Sequence, residues 1–160
     1  MNLMGVHRAD SFTRSLSHIG FPQVLKEHDG FLLTLAKDPS SMNQLIRNRE
    51  RSFHAQGGRC YYCRCAMWHG DELGAFRQRY SLTKRQARKL QCTAEHITAR
   101  CDGGTDVMGN IAAACLRCNT GRHSRKKPPQ SSAFVAYVVR RVSRRKWHDF
   151  DVWHHGLLDA

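Results

Sequence analysis

Two Cys-x-x-Cys pairs restrict the fold of this chain more than any other feature. The first Cys pair is Cys60 and Cys63, and the second Cys pair is Cys115 and Cys118. A tetrahedral zinc ion takes four soft ligands of this kind, and each pair supplies two of them. Because the pairs are far apart in the sequence, one ion bound by all four thiolates holds distant segments together. The spacing therefore predicts a structural zinc site on which folding depends.

The remaining cysteines show no comparable pattern. Cys65 follows Cys63 after a single residue, so Cys63-x-Cys65 is an alternative chelating pair. Cys92 and Cys101 have no partner at ligand spacing. Two buried thiols would be the ordinary explanation of the first Cys pair taken alone, but the second Cys pair favours metal binding.

The composition indicates a polyanionic partner. The chain has 160 residues, enough for one domain with extensions, and 41% of them are hydrophobic, slightly fewer than is usual in globular domains. A structural zinc ion compensates for a thin core. The 26 Lys and Arg residues against 13 Asp and Glu give a formal net charge of +13. Since no apolar run approaches the ~18 residues of a membrane-spanning helix, nucleic acid is favoured over a membrane.

The cysteine content also indicates a cellular compartment. Seven cysteines occur in a chain whose first residues show no charged segment followed by an apolar one. Intracellular cysteines stay reduced and bind metals more often than they form disulfides. The sequence therefore predicts a cytoplasmic protein in which cysteines serve as metal ligands.

Residues 1–58 are expected to form a mostly helical N-terminal extension that packs on the core. The apolar run 30–35 fits a buried strand or a short helix, and its length does not decide between them. The motif Ser41-x-x-Gln44 fits a capping box, which predicts a helix over residues 41–54. The side chains expected on one side of this helix are Met42, Leu45, Ile46, Arg49 and Phe53.

Residues 59–125 contain short apolar runs separated by a loop. Residues 92–97 and 111–114 are predicted to form two strands, and the loop between them includes a Gly-Gly reversal. A short helix is expected to begin near Leu116. These elements predict a small core of the α+β class.

One basic segment precedes the two predicted strands, and another follows them. A predicted helix over 81–90 has a basic face that fits an exposed surface as well as a contact with DNA. Residues 126–160 are expected to form a basic helical C-terminal extension, in which Ser131 or Ser132 caps a helix. The inward side of that helix is expected to carry Phe134, Val135, Val138, Val139 and Val142. The aromatic residues that follow fit base stacking and docking on the domain equally.

The polar residues between positions 59 and 123 follow a specific order. After the first Cys pair come Glu95-His96, Gly103-Gly104, Asn110 and the second Cys pair, which Asn119 follows directly. This order resembles the HNH endonucleases, the ββα-metal nucleases, in their zinc-knuckle subclass. Many members have His where this chain has Asn119, so the chain is similar to the variant that ends in Asn. The resemblance implies a ββα-metal core with a four-Cys zinc site and flanking helical extensions.

The resemblance also implies a reaction, the hydrolysis of phosphodiester bonds in double-stranded DNA. His96 suits the role of general base, because an imidazole has an ordinary pKa of about 6.5 and accepts a proton from water near neutral pH. Glu95 and Asn119 offer hard oxygen ligands to Mg²⁺ or another divalent ion. Asn110 is implied to secure the loop and to orient the His96 backbone. A backbone carbonyl is expected at the second ring nitrogen of His96.

Several alternatives stay open from the sequence. Asn119 also fits a helix cap. His123, on the same helical face, is expected at the surface, with contact to phosphate or metal as the alternative. A zinc-containing nucleic-acid-binding module without catalysis and an RNA-preferring nuclease are the alternative functions. A monomer or weak dimer is expected. The residues expected to contact phosphate are Arg122, Arg125, Lys126, Lys127, Arg140, Arg141, Arg144 and Arg145.

Overall fold

A two-stranded antiparallel sheet lies at the centre of the computed structural model, which describes residues 39–158, with side chains from residue 43. Strand β1 is Cys92–His96 and strand β2 is Ile111–Cys115. The register pairs Cys92 with Cys115 at one end and His96 with Ile111 at the other. Both predicted strands are confirmed, with small differences at their ends. The apolar run 30–35 lies outside the described residues.

Strand β2 is buried along its whole length. Its sequence, Ile-Ala-Ala-Ala-Cys, consists mostly of small apolar side chains, a pattern typical of a fully buried strand. A helix follows directly, so the order β1, β2, helix gives the predicted ββα arrangement within an α+β fold. The described helices are α1 (Pro39–Ala55), α2 (Leu73–Arg79), α3 (Lys84–Lys89), α4 (Leu116–His123) and α5 (Ser131–Ser143).

Helix α1 confirms the helix predicted over 41–54 but begins at Pro39. Proline suits the first helical position because its φ is fixed and its missing N–H is not needed there. The predicted packing side is partly wrong, since Ile46 is 39% exposed. The side chains that face the sheet are instead polar and spaced by four residues. We call them the polar stripe, which comprises Asn48 and Ser52 of α1 and Gln56 directly after it.

Two members of the polar stripe, Ser52 and Gln56, pair with the edge of β2 that faces away from β1. Ser52 Oγ donates to the carbonyl of Ile111 at 2.6 Å. Gln56 Nε2 donates to the carbonyl of Ala113 at 2.8 Å, and Gln56 Oε1 accepts from the Ala113 N–H at 3.0 Å. An edge strand exposes unpaired backbone groups, and these side chains satisfy them. Side-chain hydrogen bonds to the backbone of β2 therefore hold this segment against the sheet.

Replacing Gln56 by alanine is expected to destabilise the fold by about 2 kcal/mol, because the buried N–H of Ala113 loses its acceptor. Chemical denaturation would measure this loss as a lower midpoint concentration of denaturant. The slope of the unfolding free energy against denaturant concentration should stay unchanged. Gln44→Ala serves as the matched control, since Gln44 is a glutamine on α1 that is exposed. Equal midpoints for the two variants would show that the polar stripe does not contribute to stability.

The region between the first Cys pair and β1 contains two short helices. The helix predicted over 81–90 is reduced to α3, because Thr83 is its N-cap. Thr83 Oγ1 accepts from the Gln86 N–H at 3.2 Å, and Gln86 Oε1 accepts from the Thr83 N–H at 2.8 Å. Helix α2 has no counterpart in the sequence prediction, since its 7 residues bury only Phe76.

Helix α5 and the segment after it pack on the knuckle formed by the first Cys pair. Phe134, Val138 and Val142 are buried as predicted, whereas Val139 is 51% exposed because it lies on another side of the helix. The N-cap residue is Gln130, so neither serine caps α5. Farther along, the carbonyl of Leu157 accepts from the Ala66 N–H at 2.8 Å. The tail therefore docks on the core.

The described residues all belong to one compact unit, residues 36–160. No helix within residues 39–158 has the length and apolar character needed to cross a membrane. The domain boundaries placed after residues 58 and 125 stay predictions.

Candidate functional site

A cavity of about 310 Å³ opens beside the C-terminal end of β1. Strand β1 supplies Glu95 and His96 to its lining, and helix α4 supplies Asn119 and His123. The full lining is Ala94, Glu95, His96, Ala99, Arg100, Cys101, Asn119 and His123. Glu95, His96 and Asn119, which the sequence analysis selected, thus meet in one cavity.

The carboxylate of Glu95 is fully buried, with an exposure of 0%. Its Oε1 accepts from Tyr62 Oη at 2.9 Å and also from Arg122 Nη1. Burying a carboxylate is costly unless it is paired and hydrogen-bonded, and these two donors meet that requirement. Burial, together with the Glu95 charge, raises the pKa of Tyr62 well above its ordinary value. The phenol therefore stays protonated and keeps donating to Glu95.

Arg122 corrects one prediction, because it is buried and does not face a phosphate. Its side chain is 2% exposed. Besides the ion pair with Glu95, it donates to the carbonyls of His96 at 2.8 Å, Ile97 at 3.1 Å and Pro129 at 2.9 Å. A guanidinium has several donors in a fixed plane, so one side chain joins α4, the end of β1 and the segment before α5.

Asn119 is held through its amide nitrogen. Its Nδ2 donates to Thr93 Oγ1 at 2.9 Å and to the carbonyl of Ala94 at 3.0 Å. These contacts leave Oδ1 as the remaining polar atom of the amide. The alternative in which Asn119 caps the helix is wrong, since α4 begins at Leu116 with Cys115 as its N-cap. Its side chain is thus oriented by β1 and lines the cavity.

His123 is exposed, as expected from the sequence, and it also contacts the carboxylate. Its Nε2 lies 3.1 Å from Glu95 Oε1 and 3.2 Å from Glu95 Oε2. Its side chain is 36% exposed, so it faces both the carboxylate and solvent. The sequence signal for this position is its spacing of four residues from Asn119, which places both side chains on one face of α4.

The partner of the His96 ring is a carboxylate instead of the expected backbone carbonyl. His96 Nε2 lies 2.7 Å from Asp106 Oδ1. Arg100 binds the same carboxylate through Nη2, at 2.6 Å from Oδ1 and 2.8 Å from Oδ2. The backbone carbonyl of Asp106 accepts from Asn48 Nδ2 at 2.6 Å, so the polar stripe also fixes this loop. Neither Asp106 nor Arg100 was selected from the sequence.

The charge of Asp106 determines which nitrogen of the His96 ring carries the proton. Burial alone would raise the pKa of Asp106, but the hydrogen bond from His96 and the charge of Arg100 outweigh it and hold the pKa below its ordinary value. The ionised carboxylate can only accept, so His96 Nε2 donates to it. Arg100 Nε, 3.2 Å from the same nitrogen, is then beside a donor and forms no hydrogen bond there. The lone pair of the ring is left on Nδ1.

Asn110 closes the loop that carries these residues. Its Oδ1 accepts from the Thr98 N–H at 2.8 Å, and its Nδ2 donates to the carbonyls of Thr98 at 3.1 Å and Thr105 at 2.8 Å. Gly104 packs so closely that an added Cβ would lie 1.8 Å from the Thr98 carbonyl oxygen. Glycine is therefore required there by lack of space. Asn110 contacts the loop, not the ring of His96.

The two Cys pairs come together as the spacing predicted. All four sulfur atoms lie within 4.8 Å of one another, are buried, and could hold a metal ion. Cys63 Sγ and Cys115 Sγ are 3.8 Å apart, which matches the sulfur separation of about 3.8 Å for a tetrahedral ion with bonds of about 2.3 Å. The backbone N–H of Cys115 and the indole N–H of Trp147 donate to Cys60 Sγ and Cys118 Sγ, each at 3.2 Å.

The protonation of these thiols also favours a bound cation. Burial raises the pKa of Cys63, Cys115 and Cys118. Burial opposes ionisation of Cys60 as well, but hydrogen bonds from the neighbouring thiols outweigh it and lower the pKa of Cys60. Without an ion, the cluster therefore stabilises one thiolate, whereas four would repel one another. A divalent cation supplies the charge that ionisation of all four requires.

The other residues expected to contact phosphate have different surroundings. Lys126, Lys127, Arg140 and Arg144 are exposed, whereas Arg141 is half-buried. Arg125 is exposed and its guanidinium lies 4.7 Å from the ring centroid of Tyr137. Arg145 pairs with Asp151 at 2.5 Å. Lys126 and Lys127 follow α4 directly, so they lie within a few residues of His123.

A comparison with known families agrees with this geometry. Residues 83–125 match the family model described as HNH endonuclease. This segment is similar to an HNH endonuclease domain. The match includes the cavity residues of β1 and α4 and the second Cys pair, while the first Cys pair and α1 lie outside it. Searches of curated proteins and of solved structures found no match. HNH domains are generally metal-dependent nucleases that act on nucleic acids, so the HNH domain indicates a nuclease-type function.

Proposed function

We propose that this protein is a metal-dependent endonuclease that hydrolyses phosphodiester bonds in double-stranded DNA. The observation that supports the proposal is the shared cavity, which His96 lines together with Glu95, Asn119 and His123. Metal-dependent hydrolysis of a phosphodiester uses a general base and a metal ion that lie close together. The match of residues 83–125 to the HNH endonuclease family supports the same reaction class.

The donor set of the cavity fits a divalent ion. Glu95 Oε2 has only His123 as a hydrogen-bonding neighbour among the described residues, whereas Oε1 is occupied by Tyr62 and Arg122. Together with Asn119 Oδ1 and the His123 ring, the set comprises two oxygens and one nitrogen. Such a set suits Mg²⁺ or a similar divalent cation. When bound, the ion neutralises charge on the phosphate and the leaving oxygen.

His96 provides the base in this proposal. Its Nε2–H donates a hydrogen bond to Asp106. Nδ1 therefore keeps the lone pair that accepts a proton from water. The negative charge of Asp106 then stabilises the imidazolium that forms. Arg100 and Asn48 hold Asp106 in place, and Asn110 holds the loop around it. Asn110 therefore acts by fixing the loop and is not a ligand.

The basic surface supplies the contacts with the DNA backbone. We include Arg125, Lys126 and Lys127, which are exposed and follow the helix that lines the cavity. Arg140 and Arg144 extend the positive surface on the exposed side of α5. Binding by such residues releases counterions and is steeply salt-dependent. Arg122 is excluded from this set because it is buried.

Replacing His96 by alanine is expected to reduce plasmid cleavage roughly 10²- to 10⁴-fold at saturating Mg²⁺, because the general base is lost. Folding and DNA affinity should stay unchanged. Asp106→Asn should reduce the rate less, since the imidazolium loses its anionic neighbour. Cleavage of supercoiled plasmid, assayed with Mg²⁺ or with EDTA, measures the rate of each variant.

The matched control is Asp102→Asn, since Asp102 is an exposed carboxylate in the same loop. This control should behave like the wild type. Full activity of His96→Ala would remove His96 from the chemistry. DNA binding without cleavage by the wild type would favour the non-catalytic binding module, and cleavage of RNA alone would favour the RNA-preferring nuclease.

We further propose that the four-Cys cluster binds one structural zinc ion. Structural zinc in small modules contributes roughly 10 kcal/mol or more, comparable with the whole free energy of unfolding of a domain. Cys60→Ser is therefore expected to unfold or aggregate the chain, and a strong chelator should unfold the wild type. Cys101→Ser, at an exposed cysteine outside the cluster, should not change the unfolding temperature.

Thermal unfolding and elemental analysis of the purified protein test this prediction. A folded wild type that contains less than about half an equivalent of zinc would contradict it. The cytoplasmic location and the monomeric or weakly dimeric state stay predictions.

A further inference from the structure

A second group of metal-binding side chains lies beside the four-Cys cluster. Cys65 Sγ is 3.7 Å from His148 Nε2. The ligand atoms of Cys63, Cys65 and His148 all lie within 4.8 Å of one another. All three residues are buried, with exposures of 2%, 0% and 8%. Cys63 therefore belongs to both groups, and its sulfur lies between them.

Local structure explains how these residues meet. The knuckle turn carries Arg64 in the left-handed region, with φ of 62°. The Cys60 N–H donates to the carbonyl of Cys65 at 3.0 Å, and the Arg64 N–H donates to the carbonyl of Cys60 at 3.0 Å. This reversal returns Cys65 to the side of Cys63. His148 follows Trp147, whose indole donates to Cys118 Sγ.

The surroundings of His148 leave its ring poorly satisfied by the protein. Its Nδ1 is buried and has no hydrogen-bond partner among the described residues. Among the described residues, the only hydrogen-bonding neighbour of Nε2 is the sulfur of Cys65. Buried polar groups without strong partners are rare in native structures and commonly indicate a missing ligand or water. The candidate ligand atom is Nε2, which lies beside Cys65, and Nδ1 would then carry the ring proton. Imidazole and thiolate together suit zinc and related soft ions.

We propose that Cys63, Cys65 and His148 bind a second thiophilic ion of the zinc class, which the Cys63 thiolate bridges to the first. The separation of 3.7 Å between Cys65 Sγ and His148 Nε2 is close to the ligand spacing of a tetrahedral ion with bonds of about 2.0 to 2.3 Å. Three protein ligands leave one coordination position for water or a small anion, as in other three-ligand zinc sites.

Charge balance favours the second ion. One divalent ion with four thiolates has a net charge of about −2, whereas two divalent ions with five thiolates have about −1, since His148 binds as a neutral ring. The five sulfur atoms lie in a buried region, where an uncompensated charge is costly. The second ion therefore decreases the charge buried under the C-terminal segment and fastens that segment to the knuckle.

The competing explanation is a simple hydrogen bond between Cys65 and His148. Cys65→Ser distinguishes the two, because a serine hydroxyl still donates to the imidazole but is a poor ligand for a soft ion. A hydrogen-bonding role survives this substitution, and a metal site does not. Cys92→Ser is the matched control, since Cys92 is a buried cysteine outside both groups.

The experiment counts ions in the full chain loaded with Zn²⁺, by native mass spectrometry, and examines the Cd²⁺-loaded chain by ¹¹³Cd NMR. We expect the wild type and Cys92→Ser to hold one more ion than Cys65→Ser and His148→Gln. The wild type should give two sulfur-ligated ¹¹³Cd signals that are coupled through the shared sulfur. An ion in the oxygen-rich cavity of Glu95 gives a separate signal without this coupling, so the count does not depend on the proposed nuclease function.

A single sulfur-ligated ¹¹³Cd signal in the wild type would overturn the proposal, even if the variants fail to fold. An equal number of zinc ions in the wild type and in folded Cys65→Ser would also overturn it.

Discussion

The buried ion pair between Glu95 and Arg122 is the interaction on which the candidate site depends. Arg122 balances the Glu95 charge and also donates to backbone carbonyls at the end of β1 and before α5. The pair thus holds α4 against β1, which brings Asn119 and His123 to the carboxylate. Removing one member of a buried pair leaves an uncompensated charge, which is strongly destabilising. The geometry of the cavity and the stability of the core therefore rest on the same contact.

Two other arrangements keep the strands in place for that contact. The four-Cys cluster joins the first knuckle to the end of β2. On the opposite edge, the polar stripe of α1 satisfies the backbone of β2 and reaches the Asp106 loop through Asn48. Helix α1, although outside the HNH match, is thus connected to the proposed base through Asp106.

The sequence predicted the parts of this protein that depend on local spacing. Both strands, the helix after β2 and the meeting of the two Cys pairs follow from short motifs. The errors concern contacts between distant segments. Arg122 in a basic helix resembles a surface residue until its burial against Glu95 is known, and Asp106 shows no motif that connects it to His96. The polar stripe was missed because apolar periodicity was taken as the packing signal, although side-chain amides and hydroxyls can pair with an exposed strand edge.

In the proposed mechanism, Glu95, Asn119 and His123 form one metal-binding set beside His96. The Mg²⁺ dependence of plasmid cleavage by His123→Ala tests this set, with His154→Ala, at an exposed histidine, as the control. We expect His123→Ala to need roughly tenfold more Mg²⁺ for half-maximal activity, the equivalent of about 1.4 kcal/mol, and high Mg²⁺ to restore most of the rate. Cleavage by His123→Ala with the Mg²⁺ dependence of the wild type would show that His123 is not a ligand.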